Sequence, residues 1–102
     1  MNLFFHNVRS WASERGLTNN GNQSRQALKL MEECGELAAA LARNNKREAV
    51  DAIGDIIVVL TILAEQINVP VEDCMQAAWQ EIKDRKGKTV DGIFLKEGDL
   101  KL

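Results

Sequence analysis

The sequence has little of what several common classes of protein require. Among its 102 residues are two cysteines, one proline, one histidine and no tyrosine, and the formal net charge is −2. Disulfide-rich secreted domains and zinc sites both need more cysteines or histidines, so Cys34 and Cys74 are expected to be free thiols of a cytoplasmic protein. A charge so close to neutral provides no basic field for nucleic acid, and no nucleic-acid partner is expected.

Long apolar runs are also absent. The longest, Ile56 to Leu63, is interrupted by Thr61 and is far too short to span a bilayer, so no membrane partner is expected. The one histidine, His6, has no serine or cysteine constellation around it that would suggest a covalent mechanism. What remains is an ordinary globular composition, with 45% hydrophobic and 27% charged residues.

The spacing of the apolar residues predicts one all-α domain over residues 1–102, built as a bundle of four helices. The predicted helices cover residues 3–15, 23–42, 47–68 and 71–86, with a polar loop at 18–22 (TNNGN). Pro70 separates the last two helices, because proline cannot continue a helix. The tail, 87–102, has short apolar elements between Gly and Asp residues and is expected to form either a hairpin or an irregular arm.

Apolar stripes indicate which faces of the helices are buried. On the second helix the stripe consists of Ala27, Leu30, Met31, Cys34, Ala38 and Leu41. The third helix contains IIVVLTILA, which is apolar almost all round, and such a helix must be covered on every side. A chain of this size cannot cover it alone. The sequence therefore predicts that a second copy packs against it, in a homodimer or a homotetramer.

Acidic residues cluster on the second and third predicted helices. They are Glu32, Glu33 and Glu36 on the second helix and Glu48, Asp51 and Asp55 on the third. Like charges three or four positions apart share a helix face and repel each other. Asp55 also opens the most apolar segment, where an unpaired carboxylate carries a large desolvation penalty. A positive group is expected nearby, although a solvated acidic face would explain either helix taken alone.

A turn centred near Asn44 would bring these carboxylates to matching depths. Glu36 and Asp51 lie about eight and seven residues from it, and Glu33 and Asp55 each lie about eleven away. At a rise of about 1.5 Å per residue, the members of each pair face each other from antiparallel helices. Oxygen ligands of this kind suit hard divalent cations, so the sequence predicts an Mg²⁺ or Mn²⁺ site at these four carboxylates.

At these residues the chain resembles a known family. The segments WASERGL, QALKLMEECGELAAAL and DAIGDIIVVLTILAEQ are similar to those of the MazG-like nucleoside triphosphate pyrophosphohydrolases, of the all-α NTP pyrophosphatase superfamily. The ending AWQEIKDRKGKTVDGIFLKEGDL resembles small stand-alone members from phages and Gram-positive bacteria. The family signature is Glu-Glu-x-x-Glu on one helix, met in full here, and Glu-x-x-Asp on the next. In the second part Asp55 matches, whereas Ala52 occupies the expected Glu position and Asp51 is the nearest acid.

The resemblance implies metal-dependent hydrolysis of (deoxy)nucleoside triphosphates between the α and β phosphates, which yields the monophosphate and pyrophosphate. It implies that Glu33, Glu36 and Asp55 bind the metal, with Asp51 as a further ligand. Glu32 or Glu33 would then accept the proton of the attacking water.

The substrate also requires positive charge and a surface for its base. The candidates for binding the triphosphate are Lys29, Lys83, Arg85 and Lys86. Lys29 could instead form an ion pair with Glu33, and the other three could compensate the dipole of the fourth helix. Trp11 is the candidate for stacking on the base, with burial in the core as its alternative.

Three other functions are compatible with the sequence. A phosphoribosyl-ATP pyrophosphohydrolase and a dUTP pyrophosphohydrolase of the same superfamily would use the same carboxylates on a different nucleotide. A non-catalytic helical dimerisation module would use the apolar third helix but would leave the paired carboxylates unexplained.

Overall fold

The computed structural model describes residues 3–19 and 23–100, so residues 20–22 of the predicted loop lie outside the described part. The helices are α1 (Phe4–Glu14), α2 (Gln23–Ala42), α3 (Lys46–Gln66) and α4 (Val71–Ile82). They are followed by β1 (Gly87–Val90), β2 (Ile93–Lys96) and a 3-10 turn (Glu97–Leu100). The predicted all-α class and the four helices are confirmed, and the tail takes the hairpin alternative. None of the described helices combines the length and the apolar character needed to cross a membrane.

The chain forms two compact units. The first extends to Val71 and contains α1, α2 and α3, with α3 packed against both of the others. The second begins at Glu72 and contains the rest of α4 and the hairpin. The organisation of residues 1–102 as a single domain stays a prediction.

A tight turn joins α2 to α3. Asn44 adopts a left-handed backbone conformation with φ 56°, which asparagine tolerates better than most residues. The amide of Asn45 donates to the carbonyl of Ala40 at 2.9 Å and closes the last turn of α2. The Asn45 side chain then caps α3, because its Oδ1 accepts a hydrogen bond from the amide of Glu48 at 3.1 Å. The chain therefore reverses direction within three residues.

The other helix ends have equally local causes. Asn68 adopts φ 65° and ends α3, while the buried Gln66 donates from Nε2 to the carbonyl of Leu17 at 2.8 Å. This bond ties the segment after α1 to the end of α3. The fourth helix stops at Ile82, earlier than the predicted residue 86, since the following residues lead into β1 and the carbonyl of Lys86 accepts from the amide of Glu97.

The apolar core of the first unit consists mainly of small residues. Its buried members are Ala12, Ala40, Ala49, Ala52, Val59, Ile62 and Ala64. Small side chains let the helices approach closely, but they leave the larger side chains outside. The predicted burial of the α2 stripe is wrong for the single chain: Cys34 is exposed, and Met31 and Leu41 are 69% and 60% exposed. The residues that α2 buries are Glu33 and Ala40.

The tail is an antiparallel hairpin with a two-residue turn. Asp91 and Gly92 both have positive φ, at 51° and 79°, as the commonest hairpin turn requires. The register pairs Val90 with Ile93 and Gly87 with Lys96. A side chain at Gly87 would collide with the carbonyl oxygen of Leu95, so glycine is needed where β1 begins.

The α2–α3 turn yields a test of the cap. We expect Asn45→Ala to lower the free energy of unfolding by about 1 kcal/mol, because the amide of Glu48 loses its acceptor. Chemical denaturation followed by circular dichroism would measure the change. Asn45→Ser, which retains a capping oxygen, is the matched control and should stay close to wild type. Equal losses in the two variants would contradict the role of the cap.

Candidate active site

A cleft of about 520 Å³ lies between α2 and α3 in the first unit. The residues that line it are Glu36, Ala39, Arg43, Glu48, Asp51, Ala52 and Asp55. Two of these are alanines, which leave space between the helices. Four are carboxylates and one is a guanidinium, so the ionised lining carries an excess of negative charge. The cleft can therefore accept a multivalent cation more readily than an anion alone.

The helical register brings together the carboxylates that the sequence singled out. Glu36 of α2 shares the cleft with Asp51 and Asp55 of α3. The two aspartates are four residues apart and therefore lie on one face of α3. Their common cleft follows from the turn at Asn44, which places residues equally far from it at similar depths.

Glu33 lies one turn before Glu36 and is the buried carboxylate of the site. Only 4% of this residue is exposed. Its Oε1 lies 3.4 Å from Nζ of Lys29, the ion pair that the sequence offered as an alternative for Lys29. Its Oε2 is buried and has no hydrogen-bond partner among the described residues. Such an acceptor carries an uncompensated desolvation cost and is available to a further donor or to a cation.

The crowded carboxylates raise the pKa values of both Glu36 and Lys29. Repulsion from Glu33, together with the hydrogen bond that a protonated Glu36 can donate to Glu33 and a smaller repulsion from Asp55, raises the pKa of Glu36 above its ordinary value of 4.5. The hydrogen bond and charge of Glu33 raise the pKa of Lys29. Glu33 and Asp55 are therefore close enough to Glu36 to affect its ionisation, and Lys29 only partly offsets their effect.

The carboxylates Glu36, Asp51 and Asp55 share one cleft, but their oxygens do not surround a common point. In residues 3–19 and 23–100, no three Asp, Glu, His or Cys side chains are placed so that they could hold a metal ion together. Ala52, at the expected Glu position, is buried in the cleft and contributes no oxygen. The roles of Glu33, Glu36, Asp51 and Asp55 as metal ligands remain predictions.

The two glutamates predicted as catalytic bases have different surroundings. Glu33 is buried and keeps a free carboxylate oxygen. Glu32 is exposed and does not line the cleft. The geometry therefore favours Glu33 over Glu32 as a proton acceptor next to the cluster.

Two charged residues of the cleft, Arg43 and Glu48, were not predicted as site residues. Nη2 of Arg43 lies 2.7 Å from Oε2 of Glu48, across the turn between the helices. The signal for Glu48 was present in its spacing, since Glu48, Asp51 and Asp55 recur every three or four residues. Arg43 gave no comparable signal, because only the turn geometry directs it to the cleft.

Trp11 lines a separate groove of about 380 Å³ together with Asn7, Val8 and Val58. The tryptophan is 46% exposed. The alternative prediction, that Trp11 is buried in the core, is therefore wrong for the single chain. The guanidinium of Arg15 lies 4.4 Å from the centre of its ring. Val58 is one helical turn beyond Asp55 on α3, so the groove and the acidic cleft are neighbours along that helix.

The remaining predicted phosphate-binding residues belong to the second unit. Lys83, Arg85 and Lys86 follow the last residue of α4. Nη2 of Arg85 lies 3.3 Å from Oε1 of Glu81. Their contact with phosphate stays a prediction, as does that of Lys29.

The crowding around Glu36 predicts a pH-dependent stability without divalent metal. A raised folded-state pKa means that this contribution to stability is complete below the ordinary glutamate value of 4.5 and is lost as pH rises through the raised pKa. We therefore expect Glu36→Gln to raise the melting temperature in chelator at about pH 7, and this advantage to vanish at about pH 4. Glu14→Gln, on the exposed surface of α1, is the control. An advantage for Glu36→Gln that persists unchanged in acid would contradict the repulsion.

The sequence is also similar to those of known proteins. Residues 8–86 match the model of the phosphoribosyl-ATP pyrophosphohydrolase family. A phosphoribosyl-ATP pyrophosphatase of Bacillus mycoides (strain KBAB4) is 38% identical over 60 residues, which are 59% of this chain and 52% of that protein. An uncharacterised 18.2 kDa protein from the rep-hol intergenic region of Haemophilus phage HP1 (strain HP1c1) is 41% identical over 63 residues, 62% of this chain and 39% of that protein.

The matched segments thus span about half or less of each relative's own length. No solved structure gives a significant match. The family match covers α2, α3 and the carboxylate cleft between them, and it agrees with the resemblance to the all-α pyrophosphohydrolases. The chain belongs to the phosphoribosyl-ATP pyrophosphohydrolase family.

Proposed function

We propose that the protein is a pyrophosphohydrolase that cleaves phosphoribosyl-ATP between its α and β phosphates and releases pyrophosphate. The observation that carries this proposal is the cleft in which Glu36, Asp51 and Asp55 meet, inside the segment that matches the family. The named Bacillus relative supports the same substrate. The sequence analysis put nucleoside triphosphates first and this substrate second, and the comparisons favour the second.

Common nucleoside triphosphates remain the second candidate. The quoted segments that resemble the MazG-like enzymes support them, since Glu-Glu-x-x-Glu is complete at residues 32–36. Both substrates contain the same triphosphate, so the same carboxylates could serve either. The two substrates differ in the group attached to the nucleoside.

We infer that the cleft binds Mg²⁺ or Mn²⁺, because its donor set suits a hard divalent cation. A cation at this cluster would satisfy the unpartnered Oε2 of Glu33 and relieve the repulsion that Glu36 receives from Glu33 and Asp55. Asp51 is the candidate for the ligand that Ala52 cannot supply, directly or through water. A bound metal would offset phosphate charge and lower the pKa of a coordinated water.

The protein groups then have distinct tasks. Glu36, Asp51 and Asp55 would hold the cation and so position the triphosphate. The free oxygen of Glu33 would accept the proton of the attacking water, with Glu32 as the less favoured alternative. Lys29 would orient Glu33 through their 3.4 Å ion pair. Lys83, Arg85 and Lys86 are proposed to contact phosphate, and Trp11 to stack on the base.

Hydrolysis assays test the reaction. We expect phosphoribosyl-ATP with Mg²⁺ or Mn²⁺ to yield pyrophosphate, resolved by ion-exchange chromatography, with canonical nucleotides and dUTP as competing substrates. Chelator should abolish turnover, and Glu36→Gln should reduce it about a hundredfold or more, because a metal ligand is lost. Glu14→Gln is the control. Release of phosphate instead of pyrophosphate would reject the reaction, and no turnover of any nucleotide would favour the interaction module.

We also propose that the protein self-associates through α3. Its exposed apolar residues are spaced alternately by three and four, as in a coiled-coil seam. They are Val50, Ile53, Ile57 and Leu60, each between 41% and 60% exposed. A seam of this length on a helix of 21 residues is an apolar patch that a second copy of α3 would cover.

Light scattering tests this association. We expect a homodimer or homotetramer at micromolar concentration, and a shift to monomer in Ile57→Lys, because a charge on the seam cannot be desolvated cheaply. Ile93→Lys, at an exposed apolar position of the hairpin, is the matched control and should leave the assembly intact. A stable, soluble wild-type monomer would contradict the proposal.

The predicted cytoplasmic location remains part of the proposal. Its support is chemical: both cysteines are free and exposed, a state that a reducing compartment maintains.

A further inference from the structure

Arg43 is the one cation among the seven residues that line the acidic cleft. It follows the last residue of α2, and the turn at Asn44 and Asn45 fixes its backbone. Its guanidinium bonds to Glu48 at 2.7 Å, yet 61% of its side chain is exposed. The group is thus held at the cleft while much of its side chain is exposed to solvent, and a planar guanidinium can bind phosphate oxygens in pairs.

The position of Arg43 along the helices separates it from the proposed metal ligands. It lies seven residues beyond Glu36, roughly 10 Å towards the turn. Glu48 lies the same number of residues before Asp55, so Arg43 and Glu48 belong to one end of the cleft. The Trp11 groove lies in the other direction, because Val58 follows Asp55 on α3.

We propose that Arg43 binds the β and γ phosphates, and hence the pyrophosphate product, with Glu48 as the residue that positions it. The nucleotide then lies along α3 with its nucleoside end towards the Trp11 groove, its α phosphate near Asp55 and its terminal phosphates at Arg43. This inference rests on the proposed pyrophosphohydrolase function. It specifies the orientation of the bound nucleotide and names the residue that binds the pyrophosphate leaving group.

The charges explain why a cation is required at this end. The cleft lining contains four carboxylates, and a triphosphate brings further negative charge. Glu36 and Asp55, which would hold a cation, lie seven residues from Arg43 and Glu48 respectively, roughly 10 Å along the helix axis. The terminal phosphates at the turn therefore need a positive group of their own. Compensation of the α2 dipole is the alternative role for Arg43. That role affects stability but would not distinguish one bound phosphate compound from another.

Calorimetric titration tests the proposal without depending on turnover. Inorganic pyrophosphate and AMP are titrated separately, with Mg²⁺ present, into wild type, Arg43→Gln and Arg47→Gln. Arg47→Gln removes the same charge four residues away, from an exposed arginine that does not line the cleft. We expect Arg43→Gln to weaken pyrophosphate binding about ten- to a hundredfold and AMP binding hardly at all, and Arg47→Gln to alter neither substantially.

Glu48 is tested through a double-mutant cycle. We expect Glu48→Gln to weaken pyrophosphate binding less than Arg43→Gln does, and the double variant to be no worse than Arg43→Gln, since Glu48 acts through the arginine. Arg43→Lys should restore part of the affinity. Melting temperatures of all variants report whether they fold.

The outcomes separate this inference from the proposed function. Equal pyrophosphate affinity in Arg43→Gln and Arg47→Gln would overturn the role of Arg43, even if the wild type hydrolyses phosphoribosyl-ATP. An equal loss of AMP and pyrophosphate binding would overturn the orientation. A wild type that binds pyrophosphate through Arg43 but hydrolyses no nucleotide would reject the function and keep the anion site. A wild type that binds no pyrophosphate would overturn the inference.

Discussion

The antiparallel pairing of α2 with α3 is the constraint on which the site depends. The left-handed Asn44 and the cap of Asn45 on the amide of Glu48 determine where α3 begins relative to the end of α2. Because both helices rise by the same distance per residue, this one turn sets the depth of every side chain on their facing sides. A shift of one residue would rotate Asp55 about the helix by roughly 100° and remove it from the cleft.

The small residues between the helices serve the same arrangement. Ala40, Ala49 and Ala52 are buried and allow a close approach, so the carboxylates can share a cleft without large apolar side chains between them. As a consequence, the apolar core buries few large side chains, and a buried glutamate keeps one unpartnered oxygen. Functional sites commonly concentrate unfavourable charge in this way.

The thin core also explains why so much apolar surface is left on α3. One side of the helix packs against α1 and α2, while the seam that contains Ile53 and Ile57 is exposed in the single chain. An amphipathic helix has one apolar stripe and buries it, whereas α3 has a buried apolar stripe and a second, exposed one. The proposed self-association would cover the second stripe and add stabilisation that the alanine-rich core cannot supply.

The sequence by itself determined the four helices, because helical spacing and the stop at Pro70 are local properties of the chain. It also determined the acidic pairs at Glu33, Glu36, Asp51 and Asp55 and, through the family resemblance, the class of reaction proposed for them. It could not decide which apolar stripe of α2 a single chain buries, since helical spacing marks every apolar face and only packing selects one. The burial of Glu33, the exposure of Glu32 and the position of Arg43 in the cleft became evident from the folded chain. The burial of Glu33 depends on how α2 is rotated against α3, which is set by contacts between residues far apart in the chain, whereas the position of Arg43 depends on the turn between the two helices.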